Sequence, residues 1–154
     1  MNKNKRLVRE QLDNTLQKFH SLLEISKPPK GWIRAIRDAL GMNGRQLADR
    51  LNVTRQRAAL IERDEMNGSA TLKTMRRIAQ HLDCVFVYGF VPRISIEETV
   101  RDRARQVAMK RLSRVSQTMR LEDQALDKRE EDKALFDMIE ELVDTLPSSI
   151  WDVS

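Results

Sequence analysis

The chain has 154 residues, 33% of them charged, with few glycines and prolines, which suits a mostly helical domain or a small domain with long helical arms. Its net charge of +5 is uneven: residues 1–120 hold 25 basic and 12 acidic side chains, a body suited to a polyanion, whereas residues 121–154 hold three and eleven. The longest apolar run, near 85–91, is far too short to span a membrane, the opening MNKNKRLVREQ lacks a signal-peptide core, and the single cysteine, Cys84, excludes an internal disulfide framework, so a reducing cytoplasm is expected.

In chain order, residues 4–26 are expected to form one amphipathic helix. Val8, Leu12, Leu16, Phe19 and Leu23 recur on it at spacings of three and four. Lys27-Pro-Pro-Lys-Gly31 breaks it, so residues 1–30 make an N-terminal arm and linker. A compact helical domain is expected over 31–83. Its first helix buries Trp32, Ile33, Ile36 and Leu40 and closes at Gly41. A second helix, a tight turn at Asn52-Val53 and a third helix over about 55–62 follow, with Leu60 and Ile61 facing inward. Arg63–Ala70 is a loop with an Asn67-Gly68 turn. The helix Thr71–Leu82 buries Leu72, Met75, Ile78, Ala79 and Leu82.

Residues 84–93 are the one expected strand, rich in β-branched and aromatic types and ended by Pro92. A lone strand needs a mate, and a second copy of the chain across a two-fold axis is the expected one. The C-terminal region, 94–154, begins with the capping-box pattern Ser95-Ile-Glu-Glu98 and a long helix striped by Val100, Ala104, Val107, Ala108, Leu112 and Val115. A last helix over about 131–146 carries Leu135, Met138, Ile139, Leu142 and Val143 on one face. Pro147 breaks it and Ile150-Trp151 is an apolar anchor. The acidic tail is expected to face another protein, fold back on the basic arm, or keep a dimer soluble.

The stretch GRQLADRLNVTRQRAALIERDEMNGSATLKTMRRIAQHL, residues 44–82, carries the strongest signal. Its order of LA, turn, T-x-Q, IE and an RIA helix resembles the Xre/Cro family of phage-repressor-like helix-turn-helix domains. The expected fold is therefore mainly α: such a domain with long N- and C-terminal helical arms and one short β-strand, paired in a homodimer. The resemblance implies that the third helix enters the DNA major groove N-terminal end first. Arg55 and Gln56 head that helix, and both types make bidentate contacts with base edges; the Ala59 methyl suits a thymine methyl. These three are the expected base readers. Asn43, Arg45, Gln46, Thr54, Arg57, Arg63 and Lys73 are candidates for phosphate or the groove edge. The resemblance also implies a structural ion pair between Arg37 and Glu62.

No catalytic site is expected, and the chain is not expected to be an enzyme. His20 and His81 lie in different elements, no Cys/His/carboxylate spacing suits a metal, and no glycine-rich phosphate loop is present, so no cofactor is expected either.

Beyond that motif, FVPR (90–93), SIEETV (95–100), QTMRLEDQ (117–124) and IWD (150–152) make the chain similar to the mobile mystery protein A family. That resemblance implies a link to mobile elements and a neighbouring partner carrying a Fic domain, with this chain as the antitoxin-like half of the pair. Antitoxins of Fic enzymes share a helical motif of Ser or Thr with Glu four residues on. Thr118-Met-Arg-Leu-Glu122 matches it, although Asp123 follows where the motif has Gly or Asn. The expected function is a sequence-specific DNA-binding transcriptional regulator that represses its own operon. The alternative is a protein-interaction antitoxin that inhibits a Fic-domain nucleotidyltransferase through Thr118 and Glu122, with DNA binding secondary.

Overall fold

A computed structural model describes residues 3–121 and 127–152. The chain divides into two units, one containing Met1–His20 and Phe90–Ser154, the other Ser21–Gly89.

The first unit is built from α1 (Lys3–Gln17), α6 (Ile96–Leu121) and α7 (Lys128–Thr145). Residues Ser95 and Glu98 close a reciprocal cap at the start of α6: the Glu98 amide donates to Ser95 Oγ (3.0 Å) and the Ser95 amide to Glu98 Oε2 (3.3 Å). Asp13 of α1 adds a second cap from far along the chain. Its carboxylate accepts from the amides of Ile96 (2.7 Å) and Glu97 (3.1 Å), where the helix dipole favours negative charge. The core below is Val100, Ala104 and Ala108 of α6 against Ile139, Leu142 and Val143 of α7. The two alanines carry no bulk beyond Cβ, so the helices approach closely there. Ile150, on the 3-10 turn Ser148–Trp151, completes this core. Arg103 holds that turn by donating to the carbonyls of Ile150 and Asp152. Asp127 and Glu130 form a capping box, so α7 starts at Lys128, three residues before the expected point.

Two expectations for α1 are corrected. It ends at Gln17, where the Lys18 and Phe19 amides bond three residues back, and a separate 3-10 turn covers His20–Glu24. The first part of its apolar stripe stays open: Val8 and Leu12 are 55% and 44% exposed, while Leu16 is half-buried. Arg9 is buried instead, and its Nε donates to Glu97 at 2.6 Å. Arg9 and Asp13 are one turn apart, and the free amides and carboxylate in the first turn of α6 select that charged face over the apolar one.

The second unit holds α2 (Trp32–Ala39), α3 (Gly44–Leu51), α4 (Arg55–Asn67) and α5 (Leu72–His81) around Ile33, Leu47, Leu51, Ile61, Ile78 and Leu82. Trp32, Leu40 and Leu72, expected inside, are exposed. Arg37 takes a buried place on α2 beside Ile33, and Leu40 lies past the helix end as its C-cap. Residues 84–93 form no β-strand, and none occurs among the described residues. Apolar, β-branched composition does not make a strand without a ladder partner, and none of the described residues of this chain supplies one. The run is held to α5 otherwise: the Cys84 amide donates to Ala79 O (2.8 Å) and Arg76 lies 5.6 Å from the Tyr88 ring centre, while Phe86 and Tyr88 stack within the run at 6.1 Å. Among the described residues no helix is long and apolar enough to cross a membrane.

Candidate nucleic-acid interface

The two-helix device at the centre of the second unit is set by short-range chemistry. The Asn43 side chain accepts from the Gln46 amide (2.9 Å) and the Gln46 side chain accepts from the Asn43 amide (2.8 Å), which starts α3. Leu47, Ala48 and Leu51 are buried, and small Ala48 lets α3 and α4 cross closely. Asn52 stops α3 in the left-handed region (φ 54°, ψ 49°), a conformation that Asn tolerates better than most side chains. Thr54 then caps α4, its hydroxyl oxygen accepting from the Arg57 amide at 3.2 Å. Asn43, Gln46 and Thr54 thus use their oxygens as caps, and each keeps protons to donate outward.

Helix α4 runs to Asn67, five residues past the expected end at 62, so the expected loop 63–70 shrinks to 68–70. Gly68 stops it in the left-handed region (φ 74°, ψ 13°), and the Asn67-Gly68 pair in the sequence was a helix stop as well as a turn signal. Ala58, Ile61 and Glu65 are its buried face. At about 100° per residue, the opposite face carries Gln56, Ala59, Leu60, Arg63 and Asn67. All five are exposed. Leu60 was expected inside; it is 38% exposed because the core face is already filled by Ala58 and Ile61. Leu60 and Asn67 thus share the exposed face with Gln56, Ala59 and Arg63. Arg55 stands at the first position of α4 on the flank of this face, and Arg45 is exposed in the first turn of α3.

The structure brings Arg57 and Lys73 together. Both line one cleft with Thr74 and Arg77, at the foot of α4. Arg77 donates to the Leu51 carbonyl (2.7 Å), tying α5 to the C-terminal end of α3. Arg57, Lys73 and Arg77 give the cleft three cationic side chains, and Leu51, Val53, Ile61 and Ile78 line the rest of it.

Two carboxylates of α4 fix its attitude against α2. Glu62 binds Arg37, with Oε1 accepting from Nε at 2.6 Å and Oε2 from Nη2 at 3.4 Å. Arg37 Nη1 also donates to Met42 O (2.8 Å) and lies 2.8 Å from Asp38. The hydrogen bond to Glu62 outweighs desolvation and raises the Arg37 pKa above its ordinary value. The guanidinium stays charged, and its contribution is lost only as pH climbs beyond the arginine range. Glu65 is buried, and its two oxygens accept from the amides of Trp32 (2.7 Å) and Ile33 (3.0 Å). It is the N-terminal cap of α2, because Gly31 has no side chain to cap with. A Cβ on Gly31 (φ 81°) would lie 2.8 Å from Glu65 Oε2, so only glycine fits under the carboxylate. Glu65 was not singled out in the sequence.

Thr118 is exposed on α6, and its hydroxyl donates to the Arg114 carbonyl (3.1 Å); Glu122 lies outside the described residues. Among the described residues no group of three or more His, Cys, Asp or Glu is placed to hold a metal. Residues 33–86 match the family model HTH_3, helix-turn-helix, and the chain carries a domain of this Xre/Cro type there. No curated protein and no solved structure matches the chain significantly.

Proposed function

From the helix-turn-helix domain at 33–86, we propose that the protein is a sequence-specific DNA-binding regulator that acts as a homodimer on its own operator and represses its own operon. The observation that carries this reading is the outward face of α4. Gln56, Ala59 and Arg63 stand on it as exposed side chains, over a core face sealed by Ala58 and Ile61. Two copies set their α4 helices in successive major grooves, about 34–36 Å apart. Arg55, Gln56 and Ala59 supply base choice. Arg45, Arg57, Arg63 and Lys73, with the outward protons of Asn43, Gln46 and Thr54, supply phosphate contacts and salt dependence. Fluorescence anisotropy with the DNA upstream of its own gene, against a scrambled fragment at two salt concentrations, tests this. Equal binding that collapses with salt would reduce the domain to a basic surface.

Within that reading, two substitutions are expected to diverge. Gln56→Ala weakens cognate binding by about 1–3 kcal/mol and relaxes one base position. Arg45→Ala weakens binding to all sequences alike and flattens the salt slope by about one unit. Binding across a panel of single-base operator variants separates the two, and a uniform loss with Gln56→Ala would remove its base-reading role.

A second reading is favoured by the helical unit of α1, α6 and α7, which lies outside the DNA-binding domain and leaves Leu7, Val8 and Leu12 of α1 and Phe136 of α7 exposed. That unit is a protein-binding module, and the resemblance to mobile mystery protein A points to a Fic-domain partner held in an antitoxin-like complex. Glu122→Gly is then expected to release nucleotidyl transfer by the co-purified partner while leaving DNA binding intact. Unchanged inhibition would sink the role of Thr118 and Glu122.

A further inference from the structure

Leu60 occupies an odd place for a leucine. It stands midway along α4, one turn after Gln56 and one turn before Arg63, and it is 38% exposed on the face turned away from the core. A scattered surface leucine is ordinary. What separates this one is its company: Gln56 and Arg63 run down the middle of the face, Ala59 lies on one side of that line and Leu60 on the other. A helix seated in the major groove brings all four toward base-pair edges. Leu60 has no donor or acceptor to offer there. Set against a bare donor or acceptor it would strip that group of water and return nothing. The one apolar group that unmodified DNA displays in the major groove is the C5-methyl of thymine, and 5-methylcytosine displays the same group.

We propose that Leu60 is a specificity-determining residue that reads a pyrimidine C5-methyl group in each half-site, forming with Ala59 an apolar margin on either side of the polar line Gln56–Arg63. The inference rests on the DNA-binding reading above. It adds a base position chosen by van der Waals contact and desolvation, alongside those chosen by hydrogen bonds. Thymine at an A·T pair is the expected source of the methyl.

The test uses the full chain and the duplex it prefers upstream of its own gene. Each thymine is replaced singly by deoxyuridine, which removes the methyl and leaves the base pair's hydrogen bonds unchanged. In parallel, each cytosine is replaced by 5-methylcytosine. Losing one methyl from an apolar contact costs about three- to tenfold in affinity. The expected result for the natural protein is a loss of that size at a thymine of each half-site distinct from any read by Ala59. For Leu60→Ala, thymine and uracil are expected to bind alike at that position. A comparable gain from 5-methylcytosine at one position, again abolished in Leu60→Ala, supports the same contact and assigns the methyl to modified cytosine. Because Leu60 lies off the core face, the variant is expected to keep the natural thermal midpoint. Specific binding with no methyl effect in the natural protein, or methyl effects that all persist in Leu60→Ala, overturns the inference and leaves the regulator reading standing; an effect that persists in Leu60→Ala at a different position from the one lost belongs to Ala59. No preference for any DNA overturns the regulator reading, and the role of Leu60 with it.

Discussion

Glu65→Ala is expected to cost about 3 kcal/mol of stability, read as a lower denaturant midpoint by circular dichroism. The substitution removes the acceptor of two amides at once, Trp32 N at 2.7 Å and Ile33 N at 3.0 Å. Each amide left without a partner in a buried place costs about 1–3 kcal/mol. Removing a buried carboxylate also relieves its desolvation, which works the other way. The amides win because the carboxylate sits at the N-terminus of α2, where the helix dipole already offsets part of its charge. Glu65→Gln keeps the shape and one carbonyl acceptor, so about half the loss is expected. Gly31 offers no replacement cap, since it has no side chain and a Cβ there would meet Glu65 itself. An unchanged midpoint in both variants would show that α2 begins without this cap.

Glu62→Ala is the second large effect, also about 3 kcal/mol, at the lower end of the cost of leaving one partner of a buried pair behind. Arg37 is the partner left. It keeps its bond to Met42 O and its contact with Asp38, and Glu62 itself is only half-buried; both facts hold the cost down. In a double-mutant cycle, Arg37→Ala with Glu62→Ala is expected to be less harmful than the two losses added together. Additive losses would mean that the 2.6 Å contact contributes no coupling. Because the Arg37 pKa is raised, this guanidinium adds no pH dependence across the neutral range. Glu62 meets α2 near its end and Glu65 meets it at its start, so the two carboxylates set the angle at which α4 presents its outward face.

The readable parts of this fold are those decided within about four residues. Asn43 and Gln46, Thr54, and Ser95 with Glu98 each announce a helix start, because cap and capped amide are neighbours in the chain. The placing of Arg55, Gln56 and Ala59 on exposed positions of one helix follows from the same spacing argument, whereas Arg63, expected in a loop, joins that helix because α4 runs on to Asn67. Misreadings arose where side-chain type was taken to decide burial. An apolar side chain at 60 reads as core, yet Leu60 is exposed; Val8 and Leu12 read as one apolar stripe, yet both are exposed. Glu65 drew no notice for being charged. Residues 84–93 had the composition of a strand, but a strand is a relation between two segments, and composition describes one.

By itself, the sequence determined the helix-turn-helix and the local caps at Thr54 and at Ser95 with Glu98, since these rest on backbone amides satisfied by near neighbours. Only the tertiary structure decided which faces those helices bury. Arg9 meets Glu97 across 88 positions of chain, and Glu65 caps an amide 32 positions before it. A buried charge is stable only where its partner arrives from elsewhere in the fold, so no periodicity within a single helix can announce it.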